Sequence, residues 1–153
     1  MLLGCASAPP TPAPVPATSG VGVISSEVLN PDVRQGNIQQ TICLPGYTAT
    51  VRPSTAYTNG VKAKLMRDQG VPPSDAWKYE LDHRIPLALG GHPRNPNNLA
   101  LQLWDGDAGA KKKDQLERRL QVLVCGEQER LDAARAAIFF DWQSALRAYL
   151  PSR

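Results

Sequence analysis

The fold turns on one stretch, Tyr79-Glu80-Leu81-Asp82-His83-Arg84-Ile85-Pro86-Leu87-Ala88-Leu89-Gly90-Gly91. Residues 77–89 read as a strand that bends at Pro86, because apolar and polar side chains alternate up to a residue that cannot donate to a ladder. Gly90-Gly91 then permits a tight reversal that side chains would resist. A loop rich in Pro and Asn follows, His92 to Asn98. Leu99, Leu101 and Leu103 restart the alternation as a second short strand. From about Ala108 to Val124 the period becomes helical, with Leu116, Leu120, Leu123 and Val124 on one face and Gly126 at the end. The order across 78–124 is strand, glycine reversal, strand, helix.

Outward from this unit, a last helix is expected over about 131–149. Leu131, Ala134, Ile138, Trp142, Ala145 and Tyr149 are its inward positions, spaced three or four apart. Upstream, Pro45-Gly46 marks a turn. Tyr47, Ala49 and Val51 alternate with Thr48, Thr50 and Arg52, which predicts a short strand stopped by Pro53. Thr58 can cap a helix over about 59–69, with Val61, Leu65 and Met66 inward and Gly70 as the stop. Residues 21–40 carry only short apolar runs and read as a weakly structured lead-in to a domain over 41–153. The fold class expected is α+β.

The 153 residues suit one domain of ordinary size. Hydrophobic residues make up 42% and charged residues 20%, so most of the chain should fold. No apolar run is long enough to cross a membrane. With two histidines and three well-separated cysteines, a Cys/His zinc module and any three-histidine site are excluded. Residues 1–20 carry no charge and place five of the fourteen prolines between Pro9 and Pro16, a linker composition. Before that run, Leu2-Leu3-Gly4-Cys5 resembles the bacterial lipobox, in which the cysteine is lipidated after signal cleavage. A reading frame that starts further upstream would supply the missing basic and apolar segments. The expectation is a lipoprotein of the cell envelope, or exported protein, tethered through Cys5. Otherwise the chain is cytoplasmic with a disordered start. Cys43 and Cys125 can then pair in an oxidising compartment. The alternative is two unpaired thiols acting as small apolar side chains.

Within the central unit, Asp82 and His83 are the chemically suggestive pair. Hydrolysing a phosphodiester needs a base to activate water, which a near-neutral imidazole suits. It also needs a cation to stabilise charge, which a carboxylate holding Mg²⁺ suits. Adjacent strand residues point to opposite faces, so both can serve one site only where the strand breaks. Glu80 shares a face with Asp82 and can support a metal or bind a lysine. His92, in a Gly-Pro loop, reads as an exposed polar residue.

Tyr79-Glu80-x-Asp82-His83-x-Ile85-Pro86-Leu87-x-Leu89-Gly90-Gly91-His92-Pro93, followed by Asn98-Leu99, resembles the HNH endonucleases with their ββα-metal core. Cys43-Leu-Pro-Gly-Tyr-Thr, Val51-Arg-Pro and Tyr57-Thr-Asn look like the segment before that core in small bacterial HNH-like proteins. Gly109-Ala110-Lys111-Lys112-Lys113-Asp114-Gln-Leu116-Glu117 and Asp141-Trp142 look like the part after it. The resemblance spans roughly residues 30–142. It implies that Asp82 binds the metal, that His83 is the general base, and that Asn98 holds the inter-strand loop and so orients His83.

One departure stands out. Where the family carries its last metal ligand on the helix, Lys111 takes the place, judged by its offset from Lys113-Asp114. A charged ammonium is no metal ligand. Asp105 or Asp107 can substitute, or Asp82, water and substrate phosphate can hold the ion alone. Residues 111–119 hold five basic side chains against two acidic ones. Lys111, Lys112, Lys113 and Arg84 are therefore expected to steady phosphates. The resulting expectation is a ββα-metal core with flanking helices. It would be a Mg²⁺-dependent endonuclease that hydrolyses DNA, or RNA, with little sequence specificity. The alternative is a non-catalytic envelope or nucleic-acid-binding protein on a degenerate HNH fold.

Overall fold

The computed structural model describes residues 22–151. The lipobox-like start, Cys5 and the proline-rich linker lie outside the described residues. Among the described residues the α-helices and strands are α1 (Tyr47–Val51), α2 (Thr55–Asp68), β1 (Tyr79–His83), β2 (Leu99–Leu103), α3 (Ala110–Cys125) and α4 (Leu131–Tyr149). The chain is an α+β protein with a two-stranded antiparallel sheet. The register pairs Tyr79 with Leu103, Asp82 with Ala100 and His83 with Leu99. No helix among the described residues is long and apolar enough to cross a membrane.

The core lies beside the hairpin rather than beneath it. Leu116, Leu120 and Val124 of α3 meet Leu131, Ala134 and Ile138 of α4, and all six are 1% exposed or less. Ile85 and Leu89 enter the same core from the loop after β1. This corrects the expected strand over 77–89. Regular pairing ends at His83, and residues 87–89 form a helical turn. Pro86 cannot donate to a ladder, and the turn carries Leu87 and Leu89 inward.

Residues 22–42 contain only short helical turns, yet Val28, Val33, Ile38 and Ile42 are integral to the core. This segment also pins the glycine reversal. Asn30 N–H donates to Gly90 O at 2.9 Å, and His92 N–H donates to Val28 O at 2.8 Å. Gly90 adopts φ 71°, and a side chain there would strike Val33 and Arg135. Arg135 of α4 is only 8% exposed and its guanidinium donates to the carbonyls of Leu89, Gly90 and Val33. Burial pulls its pKa down to about 10, so it remains a cation at neutral pH, compensated by carbonyl dipoles.

Two upstream expectations are corrected. Tyr47–Val51 is one helical turn rather than a strand. Its alternation spans six residues only, and Ala49 is exposed, so no period-two face is buried. The two strands of the sheet pair with each other. Without a partner a strand leaves its backbone groups unpaired, whereas a helical turn satisfies its own. Next, α2 starts at Thr55 with Ser54 as its cap, Oγ accepting from Tyr57 N–H, rather than at Thr58. Of its expected inward residues Met66 is buried, while Val61 and Leu65 are half-buried against the hairpin side. Lys62 Nζ fixes α2 to the start of β1 through Ala76 O and Tyr79 O, at 2.8 and 2.6 Å.

Cys43 and Cys125 form a disulfide across 82 residues of sequence. It ties the lead-in to the end of α3, where Gln39 Nε2 also reaches Cys125 O and Gln121 Nε2 reaches Ile42 O. Closing a loop of that length is worth roughly 4–5 kcal/mol in the chain-entropy account. Replacing both cysteines by Ala should therefore lower the urea midpoint, with a loss of up to about 4 kcal/mol. An unchanged midpoint would mean that the bridge contributes nothing to stability.

Candidate active site

The hairpin and α3 bring the sequence-selected residues to two sides of one strand end. On the α3 side is Asp82. Its Oδ2 accepts from Lys113 Nζ at 2.8 Å. The same ammonium donates to Glu117 Oε1 at 2.7 Å and to the carbonyl oxygen of His83 at 2.9 Å. Lys113 is 3% exposed. It is thus hydrogen-bonded to Glu117 and to the His83 carbonyl and ion-paired to Asp82. Burial works against the charged form, but Glu117 and Asp82 outweigh it and hold the Lys113 pKa above its ordinary value. The group is an ammonium throughout the physiological range.

On the other side is His83, at the end of β1 and 9% exposed. Its Nε2 donates to Pro93 O at 3.0 Å, since a carbonyl can only accept. Nδ1 is thus the unprotonated nitrogen of the neutral ring, with no hydrogen-bond partner among the described residues. Burial lowers the pKa, partly opposed by the Pro93 bond and by Asp82. Arg52, just past α1, and Lys113 push in the same direction as burial.

Asn98 is fully buried and knits the loop that presents Pro93. Its Oδ1 accepts from Ile85 N–H at 2.8 Å, and Nδ2 donates to Ile85 O and His92 O, both at 3.0 Å. Its own carbonyl accepts from Arg84 N–H at 2.8 Å. Gly91 leaves the space this requires, since a side chain there would run into Ile85 O and Asn98 Nδ2. His92 is half-buried rather than exposed. Its Nδ1 accepts from the N–H groups of Arg94 and Asn95 at 3.1 and 2.9 Å, organising the same loop.

The lysine run divides by helical rotation. Lys111 and Lys112 lie outward, paired with Asp105 and Asp107. Only Lys113 turns inward, so the residue facing Asp82 is Lys113 and not Lys111. Buried between two carboxylates and a main-chain carbonyl, Lys113 is not available to a phosphate, which corrects the role expected for it. Arg84 is exposed and stacks its guanidinium over the Phe139 ring, 4.4 Å from the centroid.

A search of family models, curated proteins and solved structures finds no match to this chain.

The expected metal does not fit the site. A divalent ion at Asp82 needs several oxygens around an open position. Here the Asp82 carboxylate already holds an ammonium. Asp105 and Asp107, the suggested substitute ligands, are highly exposed and engaged with Lys111 and Lys112. No group of three or more His, Cys, Asp or Glu side chains among the described residues is placed to hold a metal ion. Four participants were not foreseen: Glu117, Arg52, and the pair Tyr57 and Arg94. Tyr57 Oη donates to Arg94 O at 2.8 Å while the Arg94 guanidinium lies 5.0 Å from its ring centroid. The Lys113-x-x-x-Glu117 spacing was a visible signal for the first. The others depend on loop closure.

Glu80 is not ion-paired to Lys113, yet it lies close to Asp82, Asp114 and Glu117. Half-burial, and then these carboxylates in that order, raise its pKa to about 7, with Lys113 in weak opposition. A carboxyl whose folded pKa exceeds its ordinary 4.5 contributes stability that is full below pH 4.5 and lost as pH rises through about 7. The thermal midpoint of the protein should fall between pH 5 and 8 by more than that of Glu80→Gln, which keeps a neutral side chain throughout. Parallel pH profiles for the two proteins would contradict this.

Proposed function

We propose that this domain is an endonuclease of the HNH kind that hydrolyses phosphodiester bonds of DNA with little sequence specificity. The observation that carries the reading is His83. A carbonyl fixes its tautomer, leaving Nδ1 free to accept a proton, and its lowered pKa keeps the ring neutral near pH 7. The strand, closed loop, strand and helix order around Asp82-His83 and Asn98 supports it, as does the buried Asn98 that fixes the loop behind the imidazole.

In this reading a water attacks phosphorus, its proton passes to His83 Nδ1, and the opposite P–O bond breaks. The leaving oxygen takes a proton from solvent. Arg52 acts on the imidazole electrostatically, Arg94 directly follows the Pro93 carbonyl that holds it, and Arg84 is exposed next to it in the chain; these would supply positive charge for the phosphates. Lys111 and Lys112 are held only by exposed ion pairs, which are weak enough for a phosphate to displace. No step is assigned to a metal ion. The disulfide suits an oxidising compartment, which is consistent with an exported domain.

A second reading, a nucleic-acid-binding or envelope protein without catalysis, is favoured by one feature: Lys113 neutralises the carboxylate that would otherwise hold a catalytic cation. Nicking of supercoiled plasmid separates the two. The parent protein should nick, and His83→Ala should lose about 10²–10⁴ in rate. The acid limb of the rate profile should lie below pH 6.5, the ordinary imidazole value, because a base with a lowered pKa stays unprotonated further into acid. Equal rates for parent and His83→Ala would end the proposed mechanism. A parent that binds DNA without nicking either DNA or RNA would establish the second reading.

A further inference from the structure

We propose that the Lys113 ammonium is the resident cation of the junction between the hairpin and α3, and that the native chain takes up no divalent ion at Asp82. The inference concerns cation occupancy alone and is measured without turnover, so it stands or falls separately from the cleavage reading.

Three oxygens converge on Nζ: Asp82 Oδ2, Glu117 Oε1 and the His83 carbonyl, all within 2.9 Å. Two carboxylates and a carbonyl are hard donors, the chemistry that Mg²⁺ or Mn²⁺ would choose. What fills the cradle is a covalently attached monovalent cation with as many hydrogens as there are acceptors. A divalent ion bound by Asp82 and Glu117 would have to displace Nζ or sit against it. Displacing it would strand a charged group that is now 3% exposed, hydrogen-bonded to Glu117 and the His83 carbonyl and ion-paired to Asp82. Sitting against it would place like charges within a few ångströms in a partly dehydrated site, which is strongly unfavourable. The helix makes the substitution local. Lys113 and Glu117 are one turn apart on α3 and face the same way, so a single side chain brings the cation and its second carboxylate brings the balance.

The cradle itself should accept a divalent ion once the ammonium is gone. Removing Lys113 leaves Asp82 and Glu117 without a countercharge, with Glu80 beside them. That arrangement repels itself, and Mn²⁺ relieves it.

The experiment compares the parent with Lys113→Ala and with Lys113→Ala/Asp82→Asn, each in excess EDTA and in millimolar Mn²⁺. Thermal midpoints and equilibrium dialysis are the readouts. The parent should have the same midpoint in both conditions and retain no Mn²⁺ that depends on Asp82. Lys113→Ala should melt lower than the parent in EDTA and regain midpoint in Mn²⁺, and the added Asp82→Asn should abolish the recovery. Should Lys113→Ala fail to fold in EDTA, refolding it in Mn²⁺ tests the same point, and the parent's dialysis remains decisive by itself. A parent that retains one Mn²⁺ per chain, lost in Asp82→Asn, would overturn the proposal. A Lys113→Ala protein indifferent to Mn²⁺ would overturn the claim that the cradle is a cation site.

Discussion

A buried ammonium holds the hairpin to the helix. Lys113 reaches from α3 to a side chain and a main-chain oxygen of β1, and its partner Glu117 keeps it there. The principal core packs α3 against α4, not against the sheet. The face between hairpin and α3 is polar, and its order rests on this three-way contact. Burying such a cluster is costly in desolvation, and its net contribution to stability is small beside a packed apolar alternative. Removing one member is another matter, costing about 3–5 kcal/mol, because the remaining charges lose their partner. The cluster therefore acts chiefly to set where α3 lies relative to Asp82 and His83.

The opposite side of the same strand end depends on neutral hydrogen bonds. Asn98 closes the loop by pairing with both main-chain groups of Ile85, and Gly91 leaves room for it. The lead-in strip Val28–Asn30 then holds the glycine turn from outside. Pro93 O is fixed as a consequence, and with it the tautomer of His83. Two adjacent residues thus receive different environments: Asp82 meets a cation and His83 meets a carbonyl. Regular pairing persists through His83, so the two side chains are addressed from different directions. This is the physical ground for separating a proton-accepting group from a charge-neutralised one.

Much of this was legible in the chain. β2, α3 and α4 lie within about two residues of their expected bounds because each carries a long or clean apolar period. Asn98 stood out only through the family resemblance, since alone it reads as a turn residue, and the two cysteines by elimination of the third. What failed to show depends on contacts made at a distance. Tyr47–Val51 alternates over too few residues to distinguish a strand from one helical turn. Val28, Val33 and Ile38 lack any period because turns, not regular elements, place them in the core. Asp141, with φ −152° and ψ 77°, interrupts α4 without any Gly or Pro to announce it. The lysine run was ambiguous in phase by two residues, and two residues is slightly more than half a helical turn. That shift decides which lysine faces Asp82 and turns an anticipated phosphate-binding side chain into an internal cation.

The central claim is that Lys113 occupies the cation position. A crystal structure grown in Mn²⁺, with anomalous difference density at the manganese edge, addresses it most directly. The account predicts no anomalous peak at Asp82 and unbroken density for Lys113 ending between Asp82, Glu117 and the His83 carbonyl. A manganese peak bound to Asp82, with the Lys113 side chain swung away, would contradict it.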